Sequence, residues 1–97
     1  MAYTATSLDL TTSYSADQTL YPGTRKCVIS LDDDAIAFFV LISDDGTTPV
    51  AADPEVNVPA GSSFTWEFPA GTFPGNNILF QVKAESGTPD ACIEVYT

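Results

Sequence analysis

A chain of 97 residues with thirteen acidic side chains, three basic ones and no histidine carries a formal charge of −10, and that balance excludes most chemistries at the outset. Phosphate backbones and anionic membrane surfaces are repelled, with no Lys/Arg patch to release counterions, so neither nucleic acid nor membrane is expected as a partner. Without histidine, an acid/base site would have to be built from a strongly shifted carboxylate, tyrosine, lysine or thiol.

A chain of this length forms one domain that buries roughly 60–70% of its unfolded surface, so association would add to a modest stability. Hydrophobic residues make up 44% of it, punctuated by seven prolines and six glycines, which fits a globular fold and not a disordered acidic tail. The opening residues Met1-Ala2-Tyr3-Thr4 carry neither the basic nor the apolar region of a signal peptide. The longest apolar run, Ala35 to Ile42, spans eight residues, against the roughly 20 of a membrane-crossing helix. A soluble protein made in a cytoplasm is expected.

Period-two alternation between turn residues recurs along the chain, with no stripe of helical period, and predicts an all-β fold. Residues 1–20 read as a polar N-terminal strand or arm, and 21–97 as the body of the same single domain. The first segment is rich in hydroxyls, with Leu8, Leu10, Leu20 and two tyrosines, Tyr3 and Tyr14, as its means of burial. A strand is predicted around Thr4 to Leu10, then a loop through Ser15-Ala16-Asp17. This strand is either an arm that pairs with a neighbouring subunit or an edge strand of its own domain; the edge strand is the preferred reading.

Lys26 to Leu31 places Cys27, Ile29 and Leu31 on one face, and Asp32-Asp33-Asp34 forms a solvated turn. Ala35 to Ser43 is apolar on both faces, with Ile36, Phe38, Val40 and Ile42 on one and Ala37, Phe39 and Leu41 on the other. It is either a central strand covered twice or a strand whose second face meets a partner. Asp44-Asp45-Gly46 closes it. Glu55 to Val58 is a short strand, and Ser63 to Phe68 aligns the rings of Phe64, Trp66 and Phe68. Ile78, Phe80, Val82 and Ala84 point inward from the next strand, as do Ala91, Ile93 and Val95 from the last. The predicted core is Ile29, Leu31, Phe38, Val40, Phe64, Trp66, Phe68, Phe80, Val82, Ile93 and Val95. Seven to eight strands spaced by turns predict a single antiparallel β-sandwich, with jelly-roll and immunoglobulin-like topologies both open.

No catalytic constellation is legible. Cys27 and Cys92 have immunoglobulin-like spacing, but Trp66 lies too far past Cys27, and Asp90 stands where a tyrosine corner would be. Alternation puts the two cysteines on opposite faces, so two free thiols are expected. Two cysteines without histidine do not make a common structural zinc site. The runs Asp32-Asp33-Asp34 and Asp44-Asp45 lack the spacing of a calcium loop and read as charged turns. A glycosidase carboxylate pair would need a sugar-sized cleft that so short a chain hardly encloses. Ser62-Ser63 beside Gly61 fails the nucleophile-elbow spacing and has no histidine base. A non-enzyme with no catalytic residue, metal or cofactor is expected. Tyr3, Tyr14, Tyr21 and Tyr96 are suited to contact surfaces, whether protein or sugar.

Val58-Pro59-Ala60-Gly61-Ser62-Ser63-Phe64, followed by ILFQVKAESGTPDACIEVYT from Ile78 to Thr97, resembles small β-sandwich virion proteins of tailed bacteriophages in its succession of strands and turns. The resemblance covers about the C-terminal 40 residues and carries no diagnostic positions. It implies a capsid decoration or cement protein on the outer surface of a phage head, bound to the major capsid protein and to itself as a homotrimer. The interface is expected among Tyr3, Leu8, Leu10, Tyr14, Phe39 and Leu41. Two alternatives are a carbohydrate-binding module of a fibre or host-recognition assembly, and an acidic DNA mimic that inhibits a host nucleic-acid enzyme.

Overall fold

The computed structural model describes residues 2–97, and eight strands form from the alternating stretches. They are β1 (Tyr3–Asp9), β2 (Gln18–Leu20), β3 (Lys26–Leu31), β4 (Phe38–Ser43), β5 (Glu55–Val58), β6 (Phe64–Glu67), β7 (Ile78–Ala84) and β8 (Asp90–Tyr96). One sheet has the order β1-β8-β3-β6 and the other β2-β7-β4-β5. Every pairing is antiparallel. First pairs with last, second with seventh, third with sixth and fourth with fifth. The chain is thus one long hairpin, folded in half and rolled so that β8 also meets β3 and β7 also meets β4. This is the jelly-roll form of the β-sandwich, and it decides between the two topologies left open by the sequence. Both β1 and β2 belong to the sheets, so residues 2–20 are part of the sandwich.

The inward faces follow the alternation. Cys27, Ile29, Val40, Phe80 and Val82 are fully enclosed, and Leu10, Leu20, Phe38, Val58, Phe68, Ile78, Ala84, Ala91 and Ile93 complete the buried core. Burial alone pushes the Cys27 thiol up to about 12, while Cys92, one strand away, is exposed on the outer face. Both thiols are free. Four predicted core residues, Leu31, Phe64, Trp66 and Val95, are only half-buried. For Phe64 and Trp66 the reason is position: β6 is the outermost strand of its sheet and has no neighbour on one side. Phe64, Trp66, Phe68 and Phe73 form a row of tilted rings along this rim, with successive centroids 5.6, 5.2 and 4.9 Å apart.

β4 is shorter than the apolar run suggested. Asp33 accepts a hydrogen bond from the Ala35 amide through Oδ1 (3.0 Å), and its carbonyl accepts from Ile36 (3.4 Å). These turn bonds hold Ala35 to Ala37 outside the strand, since an Asx side chain competes with a ladder for nearby amides. At its other end, Asp44-Asp45-Gly46 turns with Gly46 at φ +82°. The Asp45 carboxylate accepts from the Ser43 hydroxyl (2.7 Å) and from the Thr47 amide (3.2 Å) and hydroxyl.

These bonds, Thr47 first and then Ser43, lower the Asp45 carboxyl from 3.8 to about 2. A folded value below the unfolded one adds stability above the unfolded value and loses it as the pH falls through the folded one. Asp45→Asn is expected to lower denaturant stability at neutral pH, with the deficit closing as the pH falls to about 2. Wild-type and variant curves that stay parallel over that range would contradict this role.

Candidate interaction surface

Two four-stranded sheets leave four edges, and three of them are blunted. β2 has three residues; β5 and β6 have four each, with Pro54 before β5, Pro59 between the two and Pro69 beyond β6. The fourth edge, β1, runs for seven residues and contains no proline, glycine or lysine. Its ladder with β8 is bracketed by the bonds Thr97 N–H to Ala2 O and Leu10 N–H to Pro89 O, both 3.0 Å. In an antiparallel ladder the residues that bond inward alternate with residues that bond outward. Ala2, Thr4, Thr6, Leu8 and Leu10 therefore face β8, and Tyr3, Ala5, Ser7 and Asp9 aim their N–H and C=O groups at the open edge. Residues 3–7 are also exposed on both sheet faces. This row of unpaired main-chain groups is a template for one more strand.

On the outer face beside this edge, Tyr3 donates from its hydroxyl to Glu94 Oε2 (2.7 Å) and its ring lies 4.9 Å from that of Tyr96. The Tyr96 hydroxyl turns to the same oxygen at 3.5 Å, and the Lys26 ammonium sits 5.6 Å from the Tyr96 ring centre. The hydrogen bond to Glu94 raises the Tyr3 hydroxyl to about 12, and desolvation with the Glu94 charge raises Tyr96. Both remain neutral donors near neutrality.

The six predicted interface residues separate. Tyr3, at 53% exposure, stays open to solvent, and Leu8 is half-buried on the inner side of β1. Leu10 is a correction: at 1% exposure it is core, because β1 ends there and turns it between the sheets. Leu41 is a second correction, at 4% exposure. Its face of β4 points outward, opposite Gln81 and Glu55, but the chain covers that face itself. Residues 11–17 run along β7 where β2 is too short, held by Ala84 N–H to Thr11 O (2.8 Å), Ser15 N–H to Val82 O (2.9 Å) and Val82 N–H to Ser15 Oγ (3.1 Å). From this strap Tyr14 donates to Glu55 Oε2 on the far edge of the sheet. The Lys83 ammonium lies 4.6 Å from the Tyr14 ring centre and 5.2 Å from that of Phe39. Asp17 fixes the other end, accepting from Thr48 Oγ1 (2.6 Å) and Gln81 Nε2 (2.8 Å), bonds that lower its carboxyl. Burial, then the bond to Glu55, raises the Tyr14 hydroxyl. Tyr14 and Phe39 thus serve the strap, and the two-sided apolar pattern of β4 is satisfied within the chain.

Among the described residues, no group of three or more Cys, Asp or Glu is placed to hold a metal ion. The Asp32-Asp33-Asp34 turn instead bonds to backbone, with Asp32 Oδ1 accepting from the Asp90 amide (3.0 Å). Asp9 stands directly opposite Asp90 across the β1–β8 ladder. Its hydrogen bond and charge, then desolvation and the Asp32 charge, raise the Asp90 carboxyl. No family model, curated protein or solved structure matches the chain.

A carboxyl raised in the fold opposes folding once it is ionised, and acid relieves that opposition. Asp90→Asn is expected to raise the melting temperature at neutral pH and low salt, with a gain that shrinks in high salt and in acid. A gain independent of both would assign the effect to something other than carboxylate repulsion.

Proposed function

We propose that this chain is a structural virion protein that decorates the outside of a phage head, and that it docks there through the open edge of β1. One observation carries the reading: a seven-residue edge strand keeps four residues' main-chain groups unpaired while every other edge is short, and proline flanks two of those. Strand addition supplies main-chain hydrogen bonds along the whole edge, and exposed side chains on both faces of β1 supply selectivity. The partner in this reading is the major capsid protein, with three copies of the chain grouped on the shell, where multivalency makes individually weak contacts persistent. A charge of −10 suits an exterior position away from packaged nucleic acid. The outer face of β4 is removed as a docking surface, because Tyr14 and Lys83 lie across it.

Orientation of the β1 amides gives a selective test. The Ala5 amide points away from β8, so Ala5→Pro removes a donor from the open edge and leaves the native ladder intact. The variant is expected to fold with a similar melting temperature and to lose at least about tenfold in affinity for heads assembled from the major capsid protein, the equivalent of roughly 1.4 kcal/mol, as measured by co-sedimentation. Phe39→Leu, under the strap, is expected to bind like the wild type. Wild-type protein that fails to bind heads overturns the decoration reading, whereas Ala5→Pro that binds fully overturns the edge as its contact.

A further inference from the structure

The open edge of β1 is uncharged along most of its length and acidic at one end. No residue from Tyr3 to Leu8 is charged, whereas Asp9, the last of the strand, stands opposite Asp90. Next to Asp90, on the side away from β1, is Asp32, whose amide donates to the Asp90 carbonyl and whose Oδ1 accepts from the Asp90 amide, both at 3.0 Å. Three carboxylates thus cross the sheet in a row that ends at the open edge. In the β1–β8 ladder Asp9 and Asp90 form a pair without mutual main-chain bonds, the kind that brings side chains closest. Like charges placed in this way are destabilising, and Asp9 is the first cause of the raised Asp90 carboxyl. Among the described residues no cation is near the row. Arg25 and Lys26 lie where β3 begins, and Lys26 pairs in register with Tyr96, six residues along β8 from Asp90 and about 20 Å away at roughly 3.4 Å per residue. Lys83 belongs to the other sheet, beside the rings of Tyr14 and Phe39.

A strand added to β1 takes the next place in that row. The N–H and C=O of Asp9 face the open edge, so the added residue opposite Asp9 exchanges both main-chain bonds with it and sets its own side chain on the face that carries the carboxylates. A cation at that position meets charge that nothing in the described chain neutralises. A second copy does not supply one, because β1 laid antiparallel on β1 over its full length puts Tyr3 opposite Asp9, and two copies of charge −10 repel. Antiparallel pairing is the more stable per residue and sets residues directly opposite one another. We infer that the occupant of this edge is an extended segment of a different protein, antiparallel to β1, with Lys or Arg as its first paired residue facing Asp9 and uncharged residues along the rest. The inference rests on the reading of the β1 edge as the docking contact and adds the chemistry of what docks there. On the inner side, Leu8 is half-buried and Thr4 and Thr6 are exposed, so apolar side chains at alternate positions of the added strand find room beside them.

Two capped peptides of identical composition, acetyl-KVQVTVQ-amide and its reversal acetyl-QVTVQVK-amide, test this by amide chemical shifts of the full chain at low ionic strength. Each carries a single positive charge, so long-range attraction to the acidic protein is the same for both. In the antiparallel register both place valine at the same three positions, and only the first sets lysine opposite Asp9; the second sets it opposite Tyr3. Both are expected to give saturable shifts at the amides of Ala5, Ser7 and Asp9, with the first binding about threefold more tightly, as one exposed cross-strand ion pair allows. Asp9→Asn is expected to make the two peptides equal, and Ala5→Pro to weaken both. Equal affinities for the wild type, or tighter binding of the reversed peptide, overturn the inference but leave the edge standing when Ala5→Pro weakens both. A preference that survives Asp9→Asn also overturns it. Absence of saturable shifts on β1 with either peptide overturns the edge and the inference together.

Discussion

β8 is the strand on which the first sheet depends. It lies between β1 and β3, with Tyr96 opposite both Tyr3 and Lys26, and Ala91 opposite both Leu8 and Leu31. Without it, β1 has no partner and the sheet is reduced to the β3–β6 pair. The part of the inner face supplied by Ala91, Ile93 and Val95 would then be lost to the core around Phe80, Val82 and Phe38. The ladder is also where the fold carries electrostatic strain, because Asp9 and Asp90 face each other at its end. Burial of apolar area in two interlocked sheets, at roughly 25 cal/mol per Å², outweighs a repulsion between carboxylates that water still reaches.

Net charge and open edge belong together. An unprotected edge strand invites pairing with another copy, yet each copy carries a charge of −10 that opposes approach at moderate ionic strength. The surface therefore does at long range what lysines, prolines and bulges do locally on other edge strands. Side chains on β1 itself are uncharged from Tyr3 to Leu8, so a partner that has already been brought close meets no further barrier. Selectivity in this arrangement is a matter of which surfaces tolerate the field of the whole molecule.

Much of this fold is visible in the sequence, and the rest is hidden for identifiable reasons. β3, β5 and β7 are readable because their alternation is undisturbed and turn residues bound them. β2 is not, since Gln18-Thr19-Leu20 offers one apolar side chain and too short a run for a period. The strap is invisible to local patterns: what covers Leu41 is Tyr14, far away in the chain and embedded among hydroxyls. Without that contact, the second apolar face of β4 looks like an interface. Leu10 misleads in the same way, a lone leucine after a polar strand that turns inward only once β8 is in place. The direction of the β1 amides is fixed by register, which two residues' shift would leave unchanged and one would invert.

Because β8 lies between β1 and β3, the order of synthesis matters. A growing chain makes seven strands before the one that completes the first sheet. The second sheet, by contrast, has all four of its strands once Ala84 has emerged. Long-range pairing of this kind is slow compared with local structure. The edge of β1 thus takes its final form, with one row of main-chain groups paired and the other open, only after β8 has joined it.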